Sequence, residues 1–508
     1  MQINVLEYFE KGALAKCRQK VAVVDEDRRY TFEDIERFAK NCAALILERT
    51  IAFNQPIGVF LPRSAQTIVA DLGILYSGNC YANLHLKSPP ERLKAILQNL
   101  GAGIIITSAA HGAALRGAGV PEEQLLLVEA TMTTEAIHDN ASLMARLDQV
   151  SDTDPLCIIH TSGSTGVPKG VVLNHRGTID FMDWAFERLS LDGSEVIGSL
   201  SPFYFDIYTL ELYLCLAKGA TMVLIPEQHA AFPARLLEFM AGNQISFIFW
   251  VPTVMVNIAN QHLLAKGKLD CLKKVWFAGE VFPTKHFNYW RHYLPGATFV
   301  NLYGPIEITV DCTYFIVDRP FADDEKLPIG FPCRNTDILV LNEHNQPAQQ
   351  DEPGELCVRG SSLALGYWNN AERTAQAFVQ NPLNPHYPEL IYRTGDLVYR
   401  NSRGELMFLG RKDYQIKHLG YRIELGEIEH AALRVQGVRN ACVVYQQGRK
   451  EITLFFESDQ ELSSAVIRER LGAFLPKYML PTVFHRMEQL PRNPNGKIDR
   501  QKLLEQVA

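Results

Sequence analysis

The chain has 508 residues and a formal net charge of −7, with 50 Lys and Arg against 57 Asp and Glu. That length predicts at least two domains, and 47% hydrophobic with 21% charged residues is an ordinary globular composition. The negative balance argues against a nucleic-acid binder, and no apolar run reaches the roughly 20 residues of a membrane-spanning helix.

The ten cysteines (17, 42, 80, 157, 215, 271, 312, 333, 357 and 442) are scattered, without a C-x-x-C pair. This spacing suits reduced thiols in a cytoplasmic protein better than a disulfide frame or a zinc site. The N-terminus lacks the basic and apolar regions of a signal peptide.

Along the chain, Thr31-Phe-Glu-Asp34 reads as a capping box. Ile35, Phe38, Cys42, Leu45 and Ile46 then repeat at helical spacing. Ile57–Leu61 predicts a strand, Ala65–Tyr76 a helix and Gly103–Thr107 another strand. Leu156–Ile159 is an apolar run that reads as a buried strand, and Thr161-Ser-Gly-Ser-Thr-Gly-Val-Pro-Lys-Gly170 follows it directly. Glycines at 163, 166 and 170 allow tight turns and close backbone approach. Hydroxyls at Ser162, Ser164 and Thr165 and the ammonium of Lys169 offer donors and positive charge to a polyanion such as a nucleotide triphosphate. The spacing is not that of a Walker A loop.

Asp206 precedes an apolar helix expected over Ile207–Leu216, where it could serve as N-cap. The runs Thr221–Ile225, Phe247–Trp250, Lys274–Phe277 and Ala297–Val300 predict further strands. Ile245–Val256, interrupted by Pro252, reads as a core strand. Strand–helix alternation of this kind predicts parallel sheets covered by helices. From about Pro328 short strands take over, as in Asp337–Leu341 and Gly354–Arg359, predicting a more β-rich part. The charged stretch Gly410–Tyr414 is the best boundary, and roughly a hundred residues with their own alternation follow it.

Several strings together resemble the adenylate-forming superfamily of acyl-CoA synthetases, luciferases and peptide-synthetase adenylation domains. They are the loop at 161–170, Asn301-Leu-Tyr-Gly-Pro-Ile-Glu307, Tyr392-Arg-Thr-Gly-Asp396, Gly410-Arg-Lys-Asp413, Gln415-Ile-Lys417, Gly420-Tyr-Arg-Ile-Glu-Leu-Gly-Glu427 and Asn495-Gly-Lys497. The order is the family's, and Thr31–Ile106 is similar to its usual N-terminal part. The resemblance implies an α/β fold: a large N-terminal domain of two helix-covered sheets plus a β-rich subdomain, residues 1–412. A small mobile α+β C-terminal domain, residues 413–508, would turn about a hinge at Asp413.

The implied chemistry joins a carboxylate to the α-phosphate of ATP with loss of pyrophosphate, using Mg²⁺. Thr161, Ser162, Gly163, Ser164, Thr165, Gly166 and Lys169 match the phosphate loop. Asn301, Tyr303 and Gly304 match the adenine site, and Asp396 the acid that receives the ribose hydroxyls. Arg411 matches the arginine near ribose and phosphate, Glu307 the Mg²⁺ ligand, and Lys497 the cation of the adenylation step. Gly420 matches the segment that enters the site when the acyl group passes to a thiol. One departure is Ile306, where the family usually has Thr; Thr309 or the loop hydroxyls would have to compensate for the lost phosphate contact.

The same resemblance places Asp206 where amino-acid-activating members bind the substrate α-ammonium. Ile207, Leu210, Phe249, Trp276, Ala278, Leu302, Val310 and Asp311 fall around the side-chain pocket. Large apolar residues imply a small cavity, and the set is similar to that of prolyl-carrier-protein ligases except for Asp311, whose carboxylate favours a hydroxyl. Gly279-Glu-Val281 is similar to D-alanine ligases. The expectation is therefore a stand-alone enzyme that activates proline, serine or an alanine-like amino acid. It would load that amino acid onto the phosphopantetheine thiol of a separate carrier protein, without nucleic acid or membrane partners. The alternatives are an acyl- or aryl-CoA synthetase and a weakly active nucleotide-binding homologue.

Overall fold

In the computed structural model the side chain of Thr31 accepts from the backbone N–H of Asp34, while Asp34 accepts from that of Thr31. This reciprocal cap starts the helix Phe32–Leu47, whose apolar face carries Phe32, Ile35, Ala39, Cys42 and Ile46 into the core. The structure describes residues 2–133, 135, 139–163, 168–267, 269–458, 460–492 and 498–507.

Two large sheets share that core. The first has seven strands in the order Gly366–Tyr367, Lys169–Asn174, Pro155–Thr161, Cys80–Asn83, Pro56–Phe60, Ile105–Thr107 and Leu125–Leu127. Its four neighbouring pairs from Pro155–Thr161 to Leu125–Leu127 are parallel, whereas Lys169–Asn174 runs antiparallel to both its neighbours. The second has nine strands, and its middle, from Val21–Asp25 through Thr221–Leu224, Val196–Ser199, Phe247–Trp250 and Lys274–Phe277 to Thr298–Tyr303, is parallel. The helices Phe32–Leu47, Ala65–Tyr76 and Ile207–Lys218 fill the space shared by both sheets, and apolar side chains from all of these elements form one continuous core. A second core covers the other face of the nine-stranded sheet, beneath the helices Pro233–Gly242, Pro252–Asn260 and Thr284–Tyr293. Both sheets are thus buried by helices, as alternating strands and helices require.

From Thr336 to Arg411 the chain forms a five-stranded, antiparallel sheet. Sheet membership changes again after Arg411: Gln415–His418 and Tyr421–Glu424 form a separate hairpin, and Val438–Gln446, Glu451–Ser458 and Val483–Met487 form a three-stranded sheet with its own core.

Two expectations fail locally. The run Ile245–Val256 is not one strand: the strand ends at Trp250, and Pro252 takes the first position of the helix Pro252–Asn260. Its missing N–H costs nothing there, because that group has no helical partner. Asp206 precedes the helix Ile207–Lys218 as expected but makes no side-chain cap bond. Among the described residues no helix is long and apolar enough to cross a membrane.

Candidate functional site

Thr161 and Lys169 pair across the antiparallel strands Pro155–Thr161 and Lys169–Asn174, so the two ends of the glycine-rich stretch lie side by side. Thr161 and Ser162 line a cavity with Asp206, Ile207, Gly304, Ile306, Asp396 and Arg411. Lys417, Gly420, Tyr421 and Arg422, from the hairpin after Arg411, line it too. Ser164, Thr165, Gly166 and Lys497 lie outside the described residues.

Glu307 is fully buried. Its carboxylate accepts from Lys169 Nζ at 3.1 Å, Arg422 Nη1 at 2.7 Å and Tyr367 Oη at 2.8 Å. Burial would raise its pKa, but Arg422 and Lys169 outweigh that and hold the carboxyl well below the usual range. Lys169 moves the other way, lowered to about 8 by burial and by Arg422 beside it. One carboxylate facing two cations leaves the cluster with surplus positive charge, which suits a phosphate chain.

Tyr303 donates its hydroxyl to Asp396 Oδ2, and Arg411 Nη1 donates to Asp396 Oδ1 at 2.6 Å across the strand pair that sets Asp396 opposite Arg411. The Lys417 ammonium lies 6.0 Å from the centroid of the Tyr303 ring. Asn301 is buried and donates its amide to the Pro328 carbonyl at 2.7 Å, and neither it nor Tyr303 lines the cavity. Asp413 accepts from Arg411 Nε at 2.6 Å and from the backbone of Gln415 at 3.2 Å, between the last strand of the five-stranded sheet and the hairpin.

Of the residues expected around a side-chain pocket, Asp206 and Ile207 line the cavity. Leu210, Phe249, Trp276, Ala278, Leu302, Val310 and Asp311 are all buried behind it. Burial pushes Asp206 up to about 7, against the opposing pull of its own backbone N–H and of Lys417. Burial, reinforced by the Asp206 charge, pushes Asp311 well above the carboxylate range. Cys312, next in sequence, donates to the Tyr303 carbonyl and is likewise raised by burial and Asp311.

Gly420 closes the hairpin in a two-residue turn with Leu419, at φ +82 and +54. Two left-handed residues make a type I′ turn, the form that matches strand twist. The Gly420 N–H donates to Glu280 Oε1 at 2.8 Å, and a Cβ there would meet Cγ1 and Cγ2 of Val251 at 3.1 Å.

Sequence reading did not foresee the contacts that seat this hairpin, having given Ser162 and Gly163 to the phosphate loop alone. Ser162 Oγ donates to the Arg422 carbonyl at 2.7 Å and accepts from the Glu424 N–H at 3.2 Å. The Gly163 N–H donates to Glu427 Oε2 at 3.1 Å, and Arg92 pairs with the other oxygen of Glu427. Arg422 and Glu427 fall inside a recognised motif, which was the available signal; Arg92 and Tyr367 carried none. Of the two groups expected to compensate for Ile306, Thr309 has its hydroxyl buried and donating to the Ser362 carbonyl at 2.9 Å, while the loop hydroxyls Ser164 and Thr165 lie outside the described residues; Ile306 lines the cavity.

The model of the AMP-binding enzyme family matches residues 9–368. The chain belongs to that family. It is 31% identical over 99% of its length to tyrocidine synthase 1 of Brevibacillus parabrevis, and it spans less than half (45%) of that longer protein. Among solved structures it is similar to the Vibrio cholerae adenylation domain AlmE in complex with glycyl-adenosine-5′-phosphate. There the TM-score is 0.83 and the identity 22%, over 99% of this chain and 96% of the other. It is also similar to holo-PA1221, an NRPS protein containing adenylation and PCP domains bound to a vinylsulfonamide inhibitor, with a TM-score of 0.82 and 23% identity over 99% of this chain and 84% of that one. At those identities the structural likeness establishes the adenylation-domain fold. The match covers both large sheets, including the strands that flank the glycine-rich stretch.

Proposed function

We propose that this chain activates a small amino acid with ATP, releasing pyrophosphate, and passes the aminoacyl group to the phosphopantetheine thiol of a carrier protein in the cytoplasm. The observation that carries the reading is Asp206. Its carboxylate is set into the wall of the cavity that also holds Asp396, Arg411 and Thr161, with no side-chain cap bond to its helix and no side-chain cation paired to it among the described residues. A buried carboxylate needs a cation, and the α-ammonium of an amino acid supplies one. A fatty or aryl acid does not.

In the first step the substrate carboxylate oxygen attacks the α-phosphorus of ATP, a P–O bond to pyrophosphate breaks, and the mixed anhydride forms. Asp396 offers two carboxylate oxygens to the ribose diol once Tyr303 and Arg411 release them, and Tyr303 offers its ring to adenine. Asn301, two residues before Tyr303 on the same strand, would meet the adenine amino group once its amide turns from the Pro328 carbonyl. Thr161, Ser162 and Gly163, with Ser164, Thr165 and Gly166, cradle phosphate beside Lys169. Lys497 supplies positive charge at the reacting carboxylate.

Glu307 fits a metal-ligand role only after Arg422 withdraws, which frees its Oε2 while Lys169 and Tyr367 keep Oε1. One carboxylate is enough for Mg²⁺, which takes most of its ligands from phosphates and water. When bound, the metal would neutralise phosphate charge. In the second step the thiol sulfur attacks the acyl carbon and AMP leaves. The arrangement with Gly420 and Tyr421 in the cavity suits that step, and residues 413–508 would turn about Asp413 to reach it.

The test is ATP–pyrophosphate exchange on a panel of amino, aryl and fatty acids, with Asp206→Ala beside the wild type. Exchange on an amino acid that Asp206→Ala abolishes supports the reading. Exchange on aryl or fatty acids that the variant spares makes the chain an acyl-CoA synthetase. Bound ATP without exchange on any acid points to the weakly active homologue that Ile306 would produce.

A further inference from the structure

Resting on the reading that the glycine-rich loop takes phosphate and Glu307 takes Mg²⁺, we infer that the segment Arg422–Glu427 occupies the places of a magnesium-bound diphosphate, so that this segment and magnesium pyrophosphate exclude one another.

Arg422 and Glu424 belong to the second strand of the hairpin, Tyr421–Glu424, and Glu427 to the first turn of the helix Leu425–Leu433 that continues it. The Arg422 guanidinium sets Nη1 2.7 Å from Glu307 Oε2, the oxygen left over by Lys169 and Tyr367. The Glu427 carboxylate accepts from the Gly163 N–H at 3.1 Å. Ser162 is occupied twice, donating to the Arg422 carbonyl and accepting from the Glu424 N–H. A cation thus stands on the metal carboxylate and an anion on the loop amide, the charge pattern of a metal–diphosphate. A hairpin that merely packed here would not bring ions of both signs, since buried charges are costly without partners. Thr161, one residue earlier, lines the cavity with an Oγ1 that makes no hydrogen bond among the described residues. The segment covers Ser162 and Gly163 and leaves Thr161 for the single phosphate of an aminoacyl-adenylate.

Arg92 biases this competition from outside the loop. It lies on the helix Pro90–Leu100 and pairs with Glu427 Oε1, and both side chains are buried. Burial pushes the Glu427 carboxyl up, and Arg92 opposes that shift. The pair joins the large N-terminal part to a residue beyond Asp413, so it forms only while the segment is seated. Without Arg92, the seated Glu427 would be a buried carboxylate facing one backbone N–H, which is strongly unfavourable. Once residues 413–508 turn, Arg422 leaves Glu307, Glu427 leaves Gly163, and the groups they covered are free for metal and diphosphate.

The experiment uses the full chain without nucleotide and magnesium pyrophosphate as the probe. Hydrogen–deuterium exchange of the wild type should show peptides spanning residues 420–427 losing protection as the probe binds. Calorimetric titration should show Arg92→Met, and separately Glu427→Gln, binding the probe at least about 10-fold tighter than the wild type, as expected when a competing state held about nine-tenths of the time is removed. Arg92→Met is the sharper variant, because loss of a cation by itself weakens the binding of an anion. Unchanged protection of 420–427 with the probe bound, or equal or weaker binding by Arg92→Met, overturns the inference and leaves adenylation standing. ATP–pyrophosphate exchange by the wild type is run alongside. Its absence on every acid strikes the underlying reading and this inference with it.

Discussion

Gly420→Ala should separate the two proposed steps. The new methyl meets two penalties. A left-handed backbone at φ +82 costs an L-residue about 1–2 kcal/mol, but that cost belongs to the turn itself and is carried wherever the hairpin sits. Overpacking against both Val251 methyls at 3.1 Å costs about 1–1.5 kcal/mol and falls on the docked state alone. Transfer from preformed aminoacyl-adenylate to a pantetheine thiol should slow about 5- to 10-fold in single turnover, at about 1.36 kcal/mol per decade. Pyrophosphate exchange should stay within about twofold. Adding Val251→Ala should restore most of that loss. Equal losses in both steps, or unimpaired transfer, would refute the argument that this turn works only when docked.

Three further outcomes follow. Because burial raises Asp206 to about 7, its carboxylate predominates only above that pH. The kcat/KM of exchange should therefore fall about tenfold per unit below about pH 7, and Asp206→Asn should lose that limb along with most activity; a flat profile down to pH 5.5 in the wild type would contradict it. Ile306→Thr should speed exchange by about 10- to 100-fold, the worth of one hydrogen bond to a charged oxygen, since Thr309 is occupied by Ser362; an unchanged rate would show that the phosphate is held by other groups. Thr31→Ala removes one half of the capping box and should cost about 1 kcal/mol, a Tm drop of roughly 1–3 °C by calorimetry, with exchange unaffected.

What was legible in the sequence was what local chemistry decides. Thr31 and Asp34 announce a helix start because a hydroxyl and a carboxylate can cap only nearby N–H groups. Phe247–Trp250 and Lys274–Phe277 emerge as strands with the expected bounds, being short apolar runs flanked by turn residues. Pro252 misled because the same residue that ends a strand also opens a helix. The groups seating the hairpin were not readable: Arg92 meets Glu427 335 positions away and Ser162 meets Arg422 260 positions away, and nothing local to either partner fixes that meeting. Thr309 illustrates the limit most sharply, since a hydroxyl two residues past Glu307 turns its back on the cavity when φ turns positive.

The cysteines bear on what happens to a reactive intermediate. Eight of the ten are buried, and Cys157, Cys312 and Cys333 are raised by burial above the ordinary thiol range. A thiol acts as a nucleophile only as thiolate. Cys312, next to Asp311, is thereby held toward the thiol form, a poor nucleophile. On the proposed function, a mixed anhydride formed in the cavity would meet no ready thiolate from these three cysteines and would be left to the phosphopantetheine thiol.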